Sequence, residues 1–179
     1  AMDRRDALAA VAVLGGLSVS GCATSPRKTP DGRYCYWGRT AVGSRPVCTP
    51  GPVPDMAADA RAKQFEAVAE RLVVFVVRHR WADTLNVVDL GIDTVPPVAT
   101  VPASLVRLEM APGAHRLSFE WTKGKGALEV RGDAGQVLFV DLVGSLWAWN
   151  EWYRLEVGEP SIRHRALKCR LVDDVKGGV

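Results

Sequence analysis

Residues 72–77 read Leu72-Val73-Val74-Phe75-Val76-Val77, an unbroken apolar run in which four of six side chains are β-branched valines. A buried helix would need a longer run and tolerates fewer stiff, β-branched side chains. The stretch therefore predicts a central strand covered on both faces. Downstream the period stays at two. Strands are expected over 85–92 and over 104–110, where Leu105, Arg107 and Glu109 alternate with Val106 and Leu108. Pro112-Gly113 reads as a turn, because Pro presets one turn angle and Gly accepts the other. Residues 114–122 then place Leu117, Phe119 and Trp121 on one face and Arg116, Ser118 and Glu120 on the other. Further strands are expected over 127–131, 136–142, 153–157 and 162–172, punctuated by Gly124, Gly126, Gly132, Gly135 and Gly158. Short strands joined by Gly or Pro turns predict a mainly β chain. The expected fold is an antiparallel β-sandwich of about seven or eight strands over residues 72–179, with one N-terminal α-helix.

That helix is placed within 55–71. Asp55 is positioned to cap it, and Ala57, Ala58, Ala60, Ala62, Ala67 and Ala69 favour it, with Phe65 and Val68 turned to the core. Upstream, residues 22–54 read as a tether and a loop. Gly43, Pro46, Pro50, Pro52 and Pro54 argue against long regular elements there. Cys35 and Cys48 flank a turn and predict a disulfide-closed loop, worth about 3 kcal/mol in the chain-entropy model. Cys169 competes for either partner or remains an unpaired buried thiol.

Residues 1–21 read as an export signal. Arg4 and Arg5 precede an uncharged apolar run over 7–19, about 20 Å as a helix and too short for a bilayer core of about 30 Å. Leu17-Ser18-Val19-Ser20-Gly21-Cys22 resembles a lipobox. The resemblance implies cleavage between Gly21 and Cys22 and acylation of Cys22, which would hold the protein to a membrane through lipid. Arg4-Arg5-Asp6-Ala7-Leu8 resembles a twin-arginine export motif, with general secretion as the alternative. Ala23 after the modified cysteine implies the outer membrane, with the domain facing the periplasm.

Several positions, taken together, resemble the small β-sandwich lipoprotein domains of unknown function grouped as DUF2846. They are Arg78 ending a Val-rich strand, Asp89, Ser104, Pro112-Gly113-Ala114-His115, Ala134-Gly135-Gln136-Val137 before Phe139-Val140, and Leu171-Val172. The resemblance spans residues 72–174 and implies fold rather than chemistry. It departs at Gly91-Ile92-Asp93-Thr94-Val95-Pro96-Pro97, where an Asp-Gly hairpin is expected.

The 179 residues are 24 % charged and 47 % hydrophobic with a net charge of +3, as in an average globular chain. So mild an excess gives no reason to expect nucleic acid as a partner. Arg78-His79-Arg80 and Arg163-His164-Arg165 are local basic clusters, read as solvated strand ends or, alternatively, binding patches. Candidate chemistry is thin. Ser44 and Ser145 lack the Gly-x-Ser-x-Gly frame of a nucleophile elbow. His79, His115 and His164 are scattered singles without zinc-ligand spacing. Glu109, Glu120 and Glu129 read as outward strand positions rather than a glycosidase pair. No catalytic residue, metal site or cofactor is expected.

Trp147-Ala148-Trp149-Asn150-Glu151-Trp152-Tyr153 concentrates aromatic side chains at a strand end and loop. Trp147, Trp149, Trp152 and Tyr153 are candidate contacts for an envelope protein or glycan, or else cover an open sandwich edge. The expectation is that one ring, Trp149, is buried and at least one is exposed at the tip. The chain thus reads as a non-enzymatic, lipid-anchored envelope module. The alternative is an envelope hydrolase or carbohydrate-binding accessory that uses this loop. The anchor is directly testable: Cys22→Ala should abolish palmitate labelling and leave a precursor or a soluble periplasmic form. Label persisting on the variant would refute the lipobox reading.

Overall fold

The computed structural model describes residues 31–147 and 150–177. The expectations placed on Gly21, Cys22 and Trp149 lie outside the described residues. An N-terminal hairpin is formed by β1 (Arg33–Thr40) and β2 (Gly43–Pro52), followed by α1 (Met56–Ala62). Then come β3 (Leu72–Arg78), β4 (Val88–Ile92), β5 (Val95–Thr100), β6 (Ser104–Met110), β7 (Gly113–Trp121), β8 (Gly124–Gly132), β9 (Val137–Trp147) and β10 (Asn150–Val157). The short helix α2 (Ile162–Leu167) leads into β11 (Arg170–Lys176). One sheet has the order β10-β9-β3-β6-β11 and a second β5-β4-β7-β8.

All seven residues of β3 are buried, in accord with its central reading. Successive side chains of a strand point to opposite faces, so one strand serves two layers. Leu72, Val74 and Val76 join Leu90, Ile92, Leu117, Val140 and Leu142 in a core shared by the two large sheets. Val73, Phe75 and Val77 join Phe65 of the α1–β3 connection, Ile162 and Ala166 of α2, and Leu171 in a second layer. There Phe75 meets Phe65 edge-on with ring centres 5.0 Å apart, and it stacks on Phe139 at 5.4 Å.

The chain is mainly β with several sheets, but finer expectations are corrected. The described residues hold eleven strands and two helices rather than seven or eight strands and one helix. The pairing is mixed: β3 runs parallel to β9, and β6 parallel to β11. The antiparallel rule governs strands joined by tight turns, and these partners are separated by several intervening elements. The β1–β2 hairpin forms despite its prolines, because in a two-stranded ribbon every strand is an edge, where Pro is tolerated. In it Cys35 sits directly opposite Cys48, and the two form the disulfide. The helix expected over 55–71 ends at Ala62, and Phe65 and Glu70 adopt left-handed backbone angles. The strand expected over 162–172 is α2 followed by β11. The strand expected over 85–92 starts only at Val88, and β5 follows it after a two-residue turn at Asp93-Thr94.

Arg78 continues the inward parity of Leu72, Val74 and Val76, so its side chain enters the shared core at the end of β3. It is 1 % exposed. Its guanidinium donates twice to the Asp83 carboxylate, at 2.9 and 3.1 Å. It also donates to the Thr100 carbonyl at 2.9 Å, the Thr84 carbonyl at 3.2 Å and the Tyr153 hydroxyl at 2.9 Å. Asp83 is buried with it. Arg78→Met should therefore destabilise the domain by about 3–5 kcal/mol in urea denaturation, since it strands a buried carboxylate. A loss below about 1 kcal/mol would show that Arg78 does not hold this end together.

Candidate functional site

The end of the domain where β3 stops gathers most of the aromatic surface. Residues 79–87 leave Arg78 and return as β4, bound to it through Asp83 and Thr84. β9 continues past β3 and turns into β10, with Trp147 opposite Asn150. Gly144 lets this hairpin close onto the loop, because a Cβ there would collide with the Tyr153 ring and the Asp83 carboxylate. Gly38 of β1 likewise lies against Leu85. Four segments thus converge on one end: the β1–β2 hairpin, residues 79–87, the β7–β8 turn and the β9–β10 hairpin.

Each brings a tryptophan. Trp81, in the loop after β3, is 95 % exposed, and Trp37 on β1 is 50 % exposed. Trp121 ends β7 half-buried, its ring 4.9 Å from that of Tyr153 and carrying the Lys123 ammonium at 5.7 Å. Trp152 is also half-buried, under the Arg154 guanidinium at 5.0 Å. Of the residues singled out from sequence, Trp152 is half-buried at this end of β10, on the strand face opposite to Tyr153, and the backbone of Trp147 ends β9. Tyr153 is placed inward: its hydroxyl accepts from Arg78 and meets the Thr84 hydroxyl, and burial raises its pKa. Trp81 escaped the sequence reading, whereas Trp37, beside Cys35, reads from sequence with Tyr34 and Tyr36 as packing the loop onto the main domain and is half exposed instead. The usable signal for Trp81 was a large aromatic stranded in aperiodic sequence between two strands.

Neither basic cluster is a set of solvated strand ends. Arg78 is interior. Arg80 pairs with Asp141 at 3.1 Å and Glu156 at 3.0 Å, and Arg165 pairs with Asp141 at 2.8 Å. Asp141 is fully buried on the outward face of β9, so these two arginines neutralise it beneath α2. Arg163 and His164 are exposed on α2. Nearby, a groove between β1 and the start of β11 is lined by Tyr34, Trp37, Met56, Lys63, His79 and Cys169. Cys169 is the free cysteine among the described residues, and burial pushes its thiol up to about 12, which makes it a poor nucleophile. Burial likewise lowers His79, against its own backbone hydrogen bond and the pull of Asp141.

The remaining candidates are dispersed. Ser44 is exposed on β2, and Ser145 is half-buried on β9. Glu120 and Glu129 are exposed, whereas Glu109 pairs with Arg107 at 3.0 Å. Among the described residues no group of three or more His, Cys, Asp or Glu side chains is arranged to hold a metal. His115 has specific partners: Nδ1 faces the Asp93 carboxylate at 2.6 Å and Nε2 the Ala111 carbonyl at 2.7 Å. Asp93 also accepts from the Arg116 amide at 2.8 Å, which ties the β4–β5 turn to β7.

Both ring nitrogens of His115 face acceptors, so only the imidazolium satisfies both. Burial opposes that charge, but the Asp93 and Ala111 hydrogen bonds outweigh it and raise the pKa. Burial also raises Asp93, and its bonds to His115 and Arg116 outweigh it to leave the carboxyl lowered. The His115 contribution is full below its unfolded value of ~6.5 and is lost as pH rises through the folded pKa. The Asp93 contribution is full above ~3.9 and is lost as pH falls through the folded pKa. The pair should stabilise most between those values. An NMR titration should place His115 above the ordinary histidine range and lower it in Asp93→Asn; an unchanged midpoint would contradict the pairing. Comparison with protein-family models and with curated proteins returns no match to this chain.

Proposed function

We propose that this chain is a lipid-anchored cell-envelope protein that acts as a non-enzymatic interaction module through its tryptophan-bearing end. The observation that carries the reading is Trp81, almost wholly exposed on a loop whose base is held by the buried Arg78–Asp83 pair. With Trp37 and Val87 also exposed at this end, the indole adds to the apolar surface that interaction sites use. The anchor rests on the lipobox-like residues before Cys22, and the outer-membrane address on Ala23. The Cys35–Cys48 disulfide supports an oxidising compartment such as the periplasm. The resemblance to the DUF2846 group supports assignment of the two large sheets to a β-sandwich lipoprotein domain. Nucleic acid is not proposed as a partner, and no cofactor is proposed.

Trp81→Ala should leave the stability of the domain within about 0.5 kcal/mol of the parent, as for an exposed side chain. Screening against glycan and ester substrates should give no turnover. Turnover abolished by a single substitution near Trp152 would replace this reading with that of an envelope hydrolase.

A further inference from the structure

We propose that the tryptophan-bearing end rests in the interfacial layer of a phospholipid bilayer, the one that the Cys22 acyl chains enter. The inference rests on the lipid-anchor reading and names the partner of that surface.

The first argument is where the tether joins. Tyr34 is the fourth described residue, and its hydroxyl donates to the Ala103 carbonyl at 3.3 Å. Ala103 immediately precedes β6, whose first residue Ser104 pairs with Arg78 at the end of β3. The tether therefore meets the domain beside the tryptophans, not at the far end with the β8–β9 turn. Cys22 to Pro30 is nine residues, about 30 Å when fully extended. A chain this short holds the tryptophan end closest to the membrane and keeps its effective concentration there high.

The second argument is chemical. Indole is apolar with a polar N–H edge, which suits the boundary between acyl chains and headgroups. Trp81 and Trp37 are accompanied by two more outward apolar side chains on the same segments, Val42 at 98 % and Val87 at 41 % exposure. Lys123 and Arg154 lie over the half-buried Trp121 and Trp152 and pair with Glu151 at 2.7 Å and Glu156 at 2.8 Å, so the rim around the exposed rings is charged and solvated. A glycan site is expected to be concave with convergent hydrogen-bonding groups, whereas Trp81 projects from a loop as a wedge.

The test uses the mature protein purified from envelopes and reconstituted in vesicles of phosphatidylethanolamine and phosphatidylglycerol, with or without bromine on the acyl chains. Palmitate labelling is measured on the same preparation. Bromine should quench tryptophan emission, and Trp81→Phe should lose part of that quench. A tryptophan added at the far end, Ala134→Trp in the Trp81→Phe background, should add emission that bromine does not reduce. Label without quenching overturns the docking and leaves the anchor standing. Quenching without label supports the docking and overturns the acyl anchor, and neither signal overturns both. Protection of Trp81 from iodide by a soluble glycan, with no effect of bromine, assigns the surface to sugar and also overturns the docking.

Discussion

A guanidinium placed inside an apolar layer has to be matched by acceptors, and at Arg78 the acceptors come from otherwise separate pieces of the chain. Asp83 and Thr84 belong to the loop that follows β3, Thr100 to the end of β5, and Tyr153 to β10. Desolvating an ion pair is expensive, and good geometry with extra hydrogen bonds is what offsets it. The contacts made around Arg78 therefore set the path of residues 79–87 and the closure of the β9–β10 hairpin over them. Trp81 faces solvent on a loop whose base is fastened on the inside. The same residue bridges the two large sheets, because Thr100 lies in one and Tyr153 in the other.

The outer layer is joined by carboxylates as well as by its apolar contacts. Helices of one or two turns are unstable alone in water, so α1 and α2 need tertiary anchors. Asp59 of α1 accepts from the Leu171 amide at 2.7 Å and pairs with Arg170 and Lys63, fixing that helix to the start of β11. Asp141 of β9 does the same for α2 through Arg165. Burial raises the Asp59 carboxyl, but these partners outweigh it and leave the group below its ordinary value.

What could be read from sequence was whatever repeats locally. β3, β6 and β7 follow from apolar runs and clean alternation, and the disulfide follows from two cysteines around a turn. The parallel partners of β3 and β6 could not be read, because pairing of distant segments leaves no local period. The early end of α1 depends on left-handed angles at Phe65 and Glu70, which no glycine announces. α2 did leave a trace, since Ile162 and Ala166 are buried one helical turn apart, but the flanking apolar residues also fit a strand. At the candidate site the aromatic cluster near residue 150 was legible, yet composition could not separate Tyr153, turned inward, from Trp152. Trp81 leaves only the trace of one large aromatic between two strands, with no period to mark it.

The parallel pairs also bear on how the domain comes to exist. β3 aligns Val73 with Val137, and β6 aligns Leu105 with Leu171, so each central strand has a neighbour contributed from far along the chain. Contacts of such large sequence separation require long loops to close before they give any return, and domains of this kind fold in milliseconds to seconds rather than microseconds. β3, the most apolar strand, must wait with one hydrogen-bonding edge open until β9 is available. An unpaired apolar edge is a template for association with other chains, so the period before β9 arrives is when the chain is most exposed to aggregation.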